Sequence, residues 1–165
     1  MPDPVTENRH VIERFYDAFD RCDGETMAGC YLPDATFRDP VFGTLTGEQV
    51  GNMWRMLTSK AKELKIELLE HDADEMSGTA RWQARYEFAA TGRPVINNVE
   101  ATFEFRDGRI ARHTDGFSFF AWSRQALGPT GLVLGWNPIG RRMVRQRARS
   151  DMDRFSAANP PGQAP

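Results

Sequence analysis

Residues 81–122 read RWQARYEFAATGRPVINNVEATFEFRDGRIARHTDGFSFFAW, and their two-residue period decides the fold. Trp82, Ala84, Tyr86 and Phe88 alternate with Arg81, Gln83, Arg85 and Glu87. Successive side chains of a strand point to opposite faces, so this pattern predicts a strand with one apolar face. Thr91-Gly92 is a turn signal, and Val95, Val99, Ala101, Phe103 and Phe105 then mark a second strand. Asp107-Gly108 predicts a tight hairpin into a third strand, Ile110 to Trp122. Upstream, Leu64, Ile66 and Leu68 alternate with Lys65 and Glu67 and predict one more strand. Period-2 segments joined by tight turns make a curved antiparallel sheet.

Earlier in the chain the period is helical. Val11, Ile12, Phe15, Tyr16 and Phe19 predict an amphipathic helix over 5–22. Asp23 caps a second, short helix carrying Met27, Cys30 and Tyr31, which Pro33-Asp34 ends. A short strand from Ala35 to Arg38 runs into Asp39-Pro40. Thr46 and Gln49 fit a capping box that opens a helix with Val50, Met53, Trp54 and Leu57 on one face. Helices first and strands after give an α+β class, with the helices packed on one face of one sheet. Residues 128–140, GPTGLVLGWNPIG, read as a loop, and Asn137-Pro138 starts a last helix with Asn137 as N-cap. Ile139, Met143, Val144, Ala148, Met152 and Phe155 fall on one side of that helix and its arginines largely on the other. The expected organisation is a domain over 1–123, a linker and Arg-rich helix over 124–155 packed on the domain or a dimer mate, and a disordered tail over 156–165.

Charge narrows the function. Residues 124–165 carry seven arginines against Asp151 and Asp153, a net +5, which leaves −7 on the body of a chain whose net charge is −2. An acidic body argues against nucleic-acid binding. For the basic helix, a solvated face is preferred, with contact to an anionic membrane or to an acidic partner as secondary readings. No apolar run approaches a transmembrane helix, and MPDPVTENRH lacks the layout of a signal peptide. Cys22 and Cys30 have no metal spacing and are expected as reduced, core-type thiols of a cytoplasmic protein. His10, His71 and His113 are scattered without HxH or HExxH spacing, so no metal site is expected. Phosphate loop, nucleophile elbow and dinucleotide fingerprint are all missing from the sequence, so no cofactor is expected either.

The stretch Thr36–Gly43, TFRDPVFG, places one carboxylate among Phe37, Val41 and Phe42. It reads either as a turn residue, since Asp-Pro favours turns, or as a base facing an apolar wall that raises its pKa. On the strand HTDGFSF, alternation puts His113, Asp115, Phe117 and Phe119 on one face. His113 and Asp115 would pair a group titrating near neutrality with a carboxylate that tunes it. The same pair also fits a buried structural histidine.

Over roughly residues 5–122, DATFRDPVFG (34–43) and FRDGRI (105–110) resemble the nuclear-transport-factor-2-like, or SnoaL-like, superfamily. Its members include ketosteroid isomerases, polyketide cyclases and limonene epoxide hydrolases. The resemblance implies a cone whose curved sheet wraps an apolar pocket, usually as a homodimer. It places Asp39 on the general base of the isomerases. Their oxyanion tyrosine and protonated aspartic acid fall on Phe15 and Ala101, so the resemblance does not extend to ketosteroid isomerisation. Asp115 falls on the acid/base aspartate of the cyclases. Phe15, Tyr16, Trp54, Trp82, Tyr86, Phe103 and Phe117 become candidates for lining the pocket; aromatics at these spacings equally build plain core. Two functions are therefore expected to compete. One is an isomerase, cyclase or hydrolase doing cofactor-free acid–base chemistry with Asp39, His113 and Asp115 on a small apolar, oxygenated molecule. The other is a non-catalytic binder of hydrophobic ligands or a dimeric scaffold.

Overall fold

The structure is a computed structural model, described here for residues 1–160. Helix α1 (Pro4–Asp20) is capped by Asp3 and buries Val11, Ile12, Phe15, Tyr16 and Phe19, the stripe its 3.6-residue period dictates. Helix α2 (Gly24–Gly29) has Asp23 as its N-cap, bonded to the Thr26 amide at 3.0 Å. It stops one turn short of expectation: Cys30 is the C-cap and Tyr31 opens strand β1 (Tyr31–Asp39). Pro33 and Asp34 thus lie inside β1, where the pairing register shifts between Tyr31 and Thr36. Such an irregularity accommodates a residue without an amide hydrogen.

Strand β2 (Gly43–Thr46) returns antiparallel along β1, and helix α3 (Glu48–Lys60) follows. Its N-cap is Gly47 rather than Thr46, yet the Gln49 side chain does accept from the Thr46 amide at 3.1 Å, half of the expected capping box. Strands β3 (Lys62–Ala73), β4 (Ser77–Glu87), β5 (Pro94–Arg106) and β6 (Arg109–Gly116) complete one sheet of order β2-β1-β6-β5-β4-β3. Asp107 and Gly108, both with positive φ, form the two-residue turn that joins β5 to β6. One pairing departs from the antiparallel expectation: β1 and β6 run parallel, with Phe37 beside His113. Their C-terminal ends therefore lie together at one end of the sheet.

Strand β6 ends at Gly116, so Phe117 and Phe119 do not continue the alternation that holds His113 and Asp115 on one face. Phe119 instead opens helix α4 (Phe119–Leu127). The segment read as a loop is helix α5 (Pro129–Trp136). Its Gly131 and Gly135 press against Ser123 of α4 so closely that a Cβ at either position would collide. Small residues there serve close helix packing, not flexibility. Helix α6 (Pro138–Ala158) starts on the Asn137 cap as expected and runs three residues into the stretch expected to be disordered. Residues 161–165 of that expected tail lie outside the described residues. Cys22 is exposed, contrary to its expected core role, while Cys30 is buried, and both are free.

Candidate active site

Sheet register alone assembles the site. Phe37 pairs with His113, Arg38 with Thr114, and Ala101 with Asp115. One step beyond the Arg38 pair, Asp39 ends β1 beside Asp115 near the end of β6, and both fall on the face carrying Phe37 and His113. Two strands over, Trp82 and Tyr86 of β4 pair with Val99 and Val95 on that same face. The concave face thus ends in two aspartates with aromatics around them.

Asp39 is held by its own turn. Its Oδ1 accepts from the Val41 amide at 2.9 Å and the Phe42 amide at 2.6 Å. These two bonds, and the nearby Arg145 guanidinium, favour the carboxylate, but desolvation outweighs them. Burial, with a further push from the Asp115 charge, raises the Asp39 carboxyl to about 7. The residue is thus a turn anchor whose carboxyl is also raised towards neutrality.

Asp115 sits at the end of a hydrogen-bonded relay. Trp54 donates its indole N–H to the Tyr31 hydroxyl at 2.9 Å. Tyr31 and His113 Nδ1 are 2.7 Å apart, and His113 Nε2 and Asp115 Oδ1 are 2.8 Å apart. Because the indole can only donate, the Tyr31 hydroxyl is free to donate onward to Nδ1. The imidazole proton then sits on Nε2 and points at the carboxylate. His113 is fully buried, ringed by Phe15, Phe37 and Phe103, with centroids 5.6, 5.0 and 4.4 Å away. Both of its ring nitrogens are taken, by Tyr31 and Asp115, so it has the geometry to orient Asp115 and no nitrogen left for a substrate. Tyr31 is the member the sequence did not disclose.

The aromatic candidates divide. Phe15, Trp54 and Phe103 are core, at 0, 2 and 2% exposure. Tyr86, only partly buried, receives the indole N–H of Trp122 at 2.8 Å; burial raises its phenol to about 12, with the nearby Asp39 charge adding to the rise. Phe117 is partly buried beyond the strand end. Tyr16 and Trp82 are different. Their rings lie 5.4 Å apart, both side chains are buried, and the Tyr16 hydroxyl and Trp82 indole N–H have no hydrogen-bond partner. Burial first, and the Asp115 charge second, hold the Tyr16 phenol well above its usual range, so it is a neutral donor. An unpartnered buried donor is costly, and two such donors on neighbouring rings call for an acceptor.

Helix α6 closes over this end of the sheet. Arg149 donates to the carbonyls of Phe42, at 2.9 Å, and Thr44. Arg145 lies against Gly43, where a Cβ would come within 3.0 Å of its Nε. The expected segregation of α6 is thus only partial. Arg145 and Arg149 reach the turn between β1 and β2, while Ile139 and Met143 are 69 and 57% exposed. Clefts of about 290 and 220 Å³ lie elsewhere, the first over Ser77, Thr102 and Arg112 and the second beside Asn8 and Arg106, and neither is lined by Asp39 or Asp115. No group of three or more metal-ligating side chains occurs among the described residues.

The fold has counterparts. Residues 12–113 match the family model described as a SnoaL-like domain. No curated protein matches the chain. Among solved structures, an epoxide hydrolase of the LEH-like type from M. tuberculosis is 20% identical, with TM-score 0.65, over 80% of this chain and 98% of that one. A candidate polyketide cyclase from Xanthomonas campestris is 17% identical, with TM-score 0.64, over 75% and 99%. A hypothetical protein of ketosteroid-isomerase-like fold from Catenulispora acidiphila, in complex with trimethylamine, is 15% identical, with TM-score 0.64, over 72% and 93%. Identities this low speak for the fold alone.

Proposed function

The chain belongs to the SnoaL-like family, and on that premise we propose that it is an enzyme performing acid–base chemistry on a small, largely apolar, oxygenated molecule. The observation that carries the proposal is the pairing of Asp39, raised to about 7, with Asp115 on the same face at the same end of the sheet. A carboxyl near neutrality moves protons in both directions at working pH. Asp39 takes a proton from the substrate, or from a water that attacks it, through the oxygen its turn leaves free. Asp39 then gives that proton back, while Asp115, oriented by His113, holds the reacting group or water in place. Tyr16 and Trp82 supply what Phe15 and Ala101 cannot, two neutral donors for a substrate oxygen on which negative charge grows. Isomerisation, cyclisation and hydrolysis all share this need.

The test is turnover of a panel of epoxides, β-keto esters and unsaturated ketones by the wild type and by Asp39→Asn. Asparagine keeps an oxygen for the Val41 and Phe42 amides, so loss of turnover without loss of thermal stability supports a proton-transfer role. Turnover by the variant at the wild-type rate refutes it. A second reading, a ligand-binding or scaffold protein without catalysis, draws on the dense packing of Phe15, Trp54 and Phe103 around His113. Native mass spectrometry of the purified protein separates the two. Under the binding reading a small molecule is retained by both forms and transformed by neither.

A further inference from the structure

The family model ends at residue 113, and α4, α5 and α6 lie beyond it. This extension displays apolar surface that the fold does not require. With Gly131 and Gly135 turned onto α4, the opposite face of α5 presents Leu132, Val133 and Trp136, at 46, 70 and 86% exposure. Ile139 and Met143 continue it on α6, one turn apart. Helical spacing sets Arg142 and Arg147 beside these two, and both are exposed. Arg142 has no acidic partner among the described residues; Arg147 meets only Asp151, at 3.4 Å. Exposed Val and Trp on α5, followed by exposed Ile and Met with flanking arginines on α6, have the composition of helices lying in a bilayer interface.

We infer that the outward face of α5 and α6 docks on an anionic lipid bilayer. Charge decides the occupant. Arg142 and Arg147 flank the apolar side chains on this face, so a two-fold contact with a second copy would set like charges against each other. A bilayer carrying anionic lipid meets the arginines with opposite charge and takes the apolar side chains below its headgroups. Docking is peripheral, because among the described residues no helix is long and apolar enough to cross a membrane. It leaves the inward side of α6, with Arg145 and Arg149, on the Asp39 turn.

Tryptophan emission provides the test. Trp54, Trp82 and Trp122 are 2, 6 and 6% exposed, so of the four tryptophans only Trp136 can change environment on docking. Full-length protein is titrated with vesicles of phosphatidylcholine, with and without phosphatidylglycerol, and binding is checked by flotation. A blue shift with the anionic vesicles is expected, weakened by high salt and absent in Trp136→Phe, which still floats. The double variant Ile139→Glu with Met143→Glu should lower partitioning by about tenfold or more. Arg142→Ala should lower it roughly fivefold, and serves alone if the double variant misfolds. Failure to float with anionic vesicles at low salt overturns the inference, as does equal binding to phosphatidylcholine alone. It also falls if Trp136 is shielded without lipid in an oligomer that Ile139→Glu dissolves, which would assign the face to a second copy.

Discussion

Asp39→Asn should remove the pH dependence of part of the protein's stability. An exposed aspartate titrates near 3.9, and this one is raised to about 7 in the fold. The folded state therefore holds a proton that the unfolded chain has already released, and stability falls as pH rises between those two values. The penalty is absent below about pH 4, grows through the interval and is complete above about pH 7. A difference of about three units corresponds to about 4 kcal/mol in full, of which about 2–3 kcal/mol develops between about pH 5 and pH 8. Asparagine carries no charge and retains an acceptor for the two amides, so its variant lacks this slope. Urea unfolding across that range is the assay. With a slope of about 2 kcal/mol/M, the wild-type midpoint should drop by roughly 1 M relative to the variant. Parallel midpoints at all pH values would show that the carboxyl is solvated and titrates normally, and the proton-transfer role would lose its basis.

Tyr16→Phe should cost turnover while leaving stability within about 0.5 kcal/mol of wild type or above it, because the hydroxyl removed makes no hydrogen bond; melting and rate data on one preparation check both. Tyr31→Phe should behave oppositely, unfolding at lower urea by about 1–3 kcal/mol, since it leaves Trp54 Nε1 and His113 Nδ1 without a partner in the core. Gly131→Ala should lower the melting temperature and loosen α5, because the new methyl group lands on the Ser123 carbonyl; limited proteolysis between α4 and α6 would report it.

Sheet and helices were legible because burial on one face writes its period into the sequence. Trp82, Ala84, Val99, Ala101 and Phe103 are all buried at the alternation that marks them. Asp39 was legible for another reason, as a single charge set in an apolar segment. Tyr31 was not, because after Met27 and Cys30 its spacing continues a helix, and only the bond to His113 across the sheet shows it as strand. Helix α4 is hidden because Phe117, Phe119 and Trp122 read as the end of a strand from Ile110, and α5 is hidden for a different reason. Glycine and proline read as loop residues locally, whereas Gly131 and Gly135 are selected here by a neighbouring helix. The lack of partners at Tyr16 and Trp82 belongs to tertiary structure alone. Each residue looks like core by spacing, and no pattern along one chain says whether a buried hydroxyl is satisfied.

The extension also reaches the chemistry, and this can be tested apart from any membrane. Three influences favour the charged form of Asp39: the Phe42 amide, the Val41 amide and the Arg145 guanidinium. Helix α6 supplies the third directly and supports the first, since Arg149 grips the Phe42 and Thr44 carbonyls on the turn that presents the amides. Arg149→Ala should let that turn relax and weaken the amide bonds, and Arg145→Ala should remove the positive charge. Both changes take away stabilisation of the carboxylate, so both move the Asp39 carboxyl further above its present value. A carbon-13 NMR titration of the aspartate carboxyls would follow it, and the acid limb of any turnover profile should move the same way. An Asp39 titration unaltered in both variants would mean that desolvation by β1, β2 and β6 alone sets the carboxyl, and that α6 rests on the site without tuning it.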